Sequence, residues 1–214
     1  NVDLFGRSRT IGQVYGLTFT PDENWSTSLG MSLGSVQNPY GEDFKRQLYT
    51  ARASYTGEKL KASFNGEVRI EDSDIDANDR TTWLLGSNVS WKSDDNWRIL
   101  ASVDALLSKS DQSSILDGDY IEASIGASYR PIDNDKLNLL LKYTYLYDLP
   151  GAQQVNTSGS VLGPAQRSHV LSIDAMYDIN EWLTIGGKYG YRTGSVSTSR
   201  DVDDFEPSSA HLGI

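Results

Sequence analysis

Five tight polar turns alternate along this chain with five longer polar loops, and the alternation restricts the fold to a series of hairpins. The turns fall at 21 to 24 (PDEN), 56 to 59 (TGEK), 92 to 96 (KSDDN), 132 to 136 (IDNDK) and 179 to 181 (INE). The loops fall near 36 to 43, 71 to 80, 109 to 119, 148 to 167 and 195 to 209. Each turn and the next loop are separated by about ten residues in which apolar and polar side chains alternate, the period of a two-faced strand. Consecutive strands joined this way run antiparallel, with short connections at one end and long ones at the other.

The predicted strands are Ile11 to Thr20, Trp25 to Ser35, Leu48 to Tyr55, Leu60 to Ile70, Thr81 to Trp91, Trp97 to Ser108, Ile121 to Arg130, Leu137 to Tyr147, Ser168 to Ile179 and Leu183 to Thr193. In the fourth, Leu60, Ala62, Phe64, Gly66, Val68 and Ile70 share one face, and Lys61, Ser63, Asn65, Glu67 and Arg69 share the other. The polar face carries Ser, Gly and Thr more than bulk, as in Ser26, Ser28, Gly30, Ser32 and Gly34. A packed sandwich core would demand bulk there.

Aromatic placement identifies the medium expected at the apolar face. Phe19, Trp25, Tyr55, Trp91, Trp97, Tyr129 and Tyr177 lie towards the turns, and Trp83, Tyr143, Tyr145, Tyr147, Tyr189 and Tyr191 towards the loops. Two aromatic bands around an aliphatic middle match the interfacial girdles of a membrane barrel. A mean hydropathy of -0.45 does not oppose this, because only every second strand residue meets lipid. The expected fold is therefore all-β: an antiparallel up-and-down transmembrane β-barrel in the bacterial outer membrane, with ten full strands and the start of an eleventh at Ser209 to Ile214. Residues 1–214 are expected to form a single domain that is an incomplete part of a barrel of about 12 or more strands.

A net charge of -10 speaks against nucleic acid as a partner, and the absence of cysteine removes disulfide and thiolate chemistry. No cofactor is called for. The expected partners are outer-membrane lipid and lipopolysaccharide. On the polar, lumen-lining face the charged residues are Arg52, Lys61, Glu67, Arg69, Arg98, Asp104, Glu122, Arg130, Lys142, Asp174, Asp178, Lys188 and Arg192, a mildly basic set in an acidic chain. Either these charges pair across neighbouring strands and fill a narrow barrel, or they line an open, anion-favouring pore. Pairing is the favoured expectation.

Asp72, Asp74 and Asp76 alternate as at the start of a calcium loop, but Ala77 and Trp83 stand where Gly and a bidentate Glu belong, so no metal site is expected there. His169 and His211 are the only imidazoles, Ser168 faces away from His169, and no GxSxG elbow exists, so no enzymatic activity is expected.

The segments QRSHVLSIDAMYDINEWLTIGGKYGYRTG (166 to 194), SSAHLGI (208 to 214), LKYTYLYDLP (141 to 150) and TGEKLKASFNGEVRIED (56 to 72) resemble the C-terminal barrel region of very large repeat-containing surface proteins of Gram-negative bacteria. That resemblance implies a membrane anchor or translocation domain with a covalently linked passenger region. The alternative expectation is a porin-like passive diffusion channel.

Overall fold

A computed structural model describes residues 9–37, 43–74, 79–110, 119–133, 136–148, 164–198 and 203–214. Its strands are β1 (Arg9–Phe19), β2 (Trp25–Gln37), β3 (Phe44–Thr56), β4 (Leu60–Ser73), β5 (Arg80–Lys92), β6 (Trp97–Ser110), β7 (Tyr120–Tyr129), β8 (Leu137–Tyr147), β9 (Gln166–Asn180), β10 (Leu183–Val196) and β11 (Glu206–Gly213). They form one 11-stranded sheet in sequence order, each strand antiparallel to the next. Among the described residues β1 and β11 each have one hydrogen-bonded neighbour, so the sheet is open.

Most boundaries lie within two residues of expectation, and the larger differences fall at the loop end, where β10 also runs on to Val196. β3 starts at Phe44 and not Leu48, β4 runs on to Ser73, and β11 starts at Glu206 and not Ser209. Polar side chains interrupt the alternation there, but the backbone ladder continues, as in the register pairs Lys45↔Asp72 and Arg46↔Glu71. Ladder hydrogen bonds need no apolar side chains to persist.

At the turn end a short motif explains the tight reversals. The Asp22 Oδ1 accepts the backbone N–H groups of Asn24 and Trp25 at 2.8 and 2.9 Å, and Asp94 Oδ1 does the same for Asn96 and Trp97. The D-x-N-W sequence thus builds an Asx turn twice, and each time delivers a tryptophan to the first position of a strand. Both tryptophans pack on a tyrosine of a neighbouring strand: Trp25 on Tyr55 at 4.9 Å between ring centroids, Trp97 on Tyr129 at 4.8 Å.

Register carries the apolar face without a break. The row Tyr15, Met31, Tyr49, Val68, Trp83 and Leu107 crosses β1 to β6, each residue opposite the next. On the far half, Ile125, Tyr143, Leu171 and Tyr191 do the same across β7 to β10. These side chains have no second layer: Leu17 is 68% exposed, Ile125 56% and Ile185 58%, while Val36 and Ala165 are the buried hydrophobics among the described residues. Apolar exposure on this scale marks a surface meant for a partner or a membrane.

Candidate functional site

The two faces of the sheet are the candidate functional surfaces, and the register separates their residues. All thirteen sequence-predicted girdle aromatics lie on the apolar face, Phe19, Trp25, Tyr55, Trp91, Trp97, Tyr129 and Tyr177 towards the turns and Trp83, Tyr143, Tyr145, Tyr147, Tyr189 and Tyr191 towards the loops. Tyr15 and Tyr49 join the loop-end band; their hydroxyls donate to Gln13 and Gln47 Oε1 at 2.8 and 2.9 Å, so each phenol is anchored at its polar tip.

On the opposite face, Ser54, Ser63, Asn88, Ser102, Ser124 and Thr144 form one transverse row across β3 to β8. Within it the Ser102 and Ser124 hydroxyls bond each other at 2.8 Å. The next row towards the turns holds Lys61, Ser90, Leu100, Gly126 and Lys142. Residues of these two rows line a cavity of about 550 Å³.

This hydroxyl row separates a cationic zone from a mixed one. Across β3 to β8 the turn side of the polar face carries Lys61, Lys92, Arg98 and Lys142 and no carboxylate among the described strand residues, whereas on the loop side Glu67, Glu71, Asp104 and Glu122 are interspersed with Arg46, Arg52, Arg69 and Arg80. Asp104 and Glu122 are direct register partners, an opposition of like charges that a packed interior would not keep.

Twelve of the thirteen predicted lumen residues lie in the strands on this face, and Arg130 lies one position past the end of β7, in the turn segment. Sequence reading missed Arg46, Glu71 and Arg80, which fall where strands were expected to have ended. The Arg46 Nη2 sits 2.7 Å from Glu71 Oε1, and its Nε donates to the same oxygen at 2.8 Å.

Pairing across strands is less extensive than expected. Lys188 meets Asp174 across β9 and β10 at 3.3 Å, but Arg69 pairs with Glu67 of its own strand at 2.9 Å. Arg192 Nη2 donates to Ser168 Oγ at 3.1 Å, and Asp178 accepts the Thr184 hydroxyl. Among the described residues Arg52, Lys61, Arg98 and Lys142 form no ion pair.

Of the aspartates considered for calcium, Asp72 lies on the apolar-face side of β4 opposite Lys45, and Asp74 donates its backbone N–H to the Asp43 carbonyl; Asp76 falls outside the described residues. No cluster of three metal-capable side chains occurs among the described residues. His169 lies on the apolar face, its Nδ1 2.7 Å from the Tyr143 hydroxyl, and Ser168 lies on the other face.

Outside the strands, hydrogen bonds from the Thr198 hydroxyl and backbone N–H hold the Asp204 carboxyl below the ordinary aspartate range. A depressed folded value stabilises this loop above the unfolded pKa, roughly 4, and that contribution disappears as pH falls through the folded value. The protection factor of the Thr198 amide, taken relative to its intrinsic exchange rate at each pH, is expected to fall on acidification through that range, and the Asp204→Asn variant is expected to lose this fall.

No known family model matches the chain, and no curated protein matches it. Among solved structures it is similar to OccD1 (OprD), at 11% identity and a TM-score of 0.37, over 96% of this chain and 58% of that one. It is also similar to the translocator domain of the autotransporter NalP from Neisseria meningitidis, at 12% identity and a TM-score of 0.29, over 96% of this chain and 78% of that one. The chain thus spans well under two thirds of the OccD1 chain, and similarity at this level assigns neither a family nor an activity.

Proposed function

We propose that this chain forms the wall of an outer-membrane β-barrel and serves as the membrane anchor or translocation domain of a larger surface protein. The observation that carries the membrane reading is the unbroken, exposed apolar face, flanked by aromatic bands and shared by strands of 8 to 15 residues. A hydrocarbon core needs about 9 to 11 tilted strand residues. The anchor role rests on the resemblance of 166 to 194 and its companion segments to the barrel regions of large repeat-containing surface proteins. The reading is non-enzymatic: Tyr143 engages His169, and Ser168 points to the other face. Its test is fractionation: the native protein should sediment with outer membranes and migrate faster in gel electrophoresis unheated than boiled. Recovery in the aqueous fraction without detergent would sink it.

A diffusion channel is the second reading, favoured by small hydroxyl side chains and unpaired lysines on the polar face. The row from Lys61 to Lys142 holds two cations and no carboxylate, and such a row in a water-filled lumen favours anions. In planar bilayers the complete protein should then give ohmic, anion-selective current, and Lys61→Glu with Lys142→Glu should move the reversal potential towards cation preference. An electrically silent protein would leave only the anchor.

A further inference from the structure

Charge on the apolar face is confined to one end. Among the described strand side chains of that face, the charged ones are Lys45, Asp72, Lys109 and Arg167, all next to the long loops, and their balance is cationic. The cations sit on β3, β6 and β9, three strands apart. The turn end of the same face has aromatics and, among the described strand side chains, no charge. An apolar face whose cations gather at one rim fits a bilayer whose two leaflets differ in anionic headgroups.

Around Arg167 the rim is built in layers. Arg167 lies opposite Tyr147 and Ser195, with its guanidinium 4.2 Å above the Phe205 ring. One row towards the middle, His169 lies opposite Tyr145 and Thr193, its ring 5.2 Å from that of Tyr145. The next row is Tyr143, Leu171 and Tyr191, with the Tyr143 hydroxyl on His169 Nδ1 at 2.7 Å. Below that come Leu141, Ile173 and Tyr189, then Leu139, Ala175 and Gly187, with no charge among them. A guanidinium, then an imidazole and phenol hydroxyls, then an apolar surface is the order met in a phosphorylated glycolipid: phosphate, sugar, acyl chain.

We infer that the face formed by Tyr143, Tyr145, Arg167 and His169 binds a phosphorylated glycolipid of the outer leaflet, with Arg167 and His169 at its phosphate. The inference rests on the membrane reading above and adds a partner to it. Arg167 suits the task because its planar donors can bridge two phosphate oxygens while its face stays stacked on Phe205. Of the two carboxylates flanking Phe205, Asp204 is held by Thr198 and Glu206 lies opposite Val196 on the other face, and Arg167 forms no ion pair among the described residues.

The test uses the protein refolded into vesicles of phosphatidylcholine alone, or with either phosphatidylglycerol or diphosphoryl lipid A. Lipid that remains bound after mild detergent extraction is measured by mass spectrometry, and flotation with the vesicles is read in the same samples. The expected result is selective retention of diphosphoryl lipid A, reduced about tenfold in the Arg167→Ala/His169→Ala variant on loss of charge-assisted contacts. The single Arg167→Gln variant should give a smaller drop, and Lys59→Ala, in a turn at the other end, none. Flotation with equal retention of phosphatidylglycerol, or unchanged retention in the double variant, overturns the site alone. Absence of flotation from every vesicle overturns the membrane reading together with the site.

Discussion

Ile125→Arg is expected to lower the stability of the vesicle-embedded protein by about 2 to 4 kcal/mol, the cost of an arginine near the middle of a barrel's lipid face. Ser124→Arg, one residue earlier, should change it by less than about 1 kcal/mol, the scale of one lost hydroxyl hydrogen bond. The contrast follows from register. Ile125 lies mid-strand in β7 between Ala101 and Tyr143, is 56% exposed and has no protein layer above it. Ser124 lies between Ser102 and Thr144 on the hydroxyl row, where an added guanidinium reaches water. Urea unfolding of both variants in vesicles, with tryptophan emission as the probe, measures the two effects. Equal losses would mean that the two faces do not meet different media, and the membrane reading would fail with them.

What was legible in the sequence, and what was not, divides along the same line. Side-chain period sets the face, so the thirteen aromatics and the strand-borne charges of the polar face could be assigned to their faces from alternation alone. Height along the barrel axis is a different quantity. It depends on how each strand slides against its neighbour, and alternation within a single strand carries no information about that. The separation of Lys61, Arg98 and Lys142 from Glu67, Asp104 and Glu122 by one row of hydroxyls therefore emerged only from the register. The early start of β3 was hidden for a related reason. Lys45, Arg46 and Gln47 are polar on both faces and read as loop, yet the ladder persists through them, with Arg46 tied to Glu71 and Lys45 facing Asp72. On the membrane reading the apolar period is no longer required beyond the hydrocarbon, so its disappearance would mark the edge of the lipid and not the end of the strand.

The second large effect is expected at Gly126, where sequence suggested only a small residue on the polar face. A Cβ built there would stand 2.9 Å from the Leu141 carbonyl oxygen and 3.7 Å from Lys142 Cα and Cβ. The first contact is with backbone, so no rotamer change relieves it, and β7 and β8 would have to separate where they pair. Gly126→Val should therefore cost about 1 to 3 kcal/mol, as overpacking does in a closed site, and the gain in strand propensity is too small to offset it. Gly190 supplies the control on the same face: nothing lies within 4 Å of its added Cβ, so Gly190→Ala should be neutral or stabilising by about 0.4 to 1 kcal/mol. Both are read as shifts in urea midpoint at constant slope. Because Gly126 lines the cavity between Leu100 and Lys142, its valine variant also reports on function. An anchor that uses its wall only for support should keep its membrane location with stability alone reduced, whereas a channel whose solutes pass the hydroxyl row should lose conductance as well. A Gly126→Val protein as stable as the parent would show that β7 and β8 do not approach as closely as this register requires.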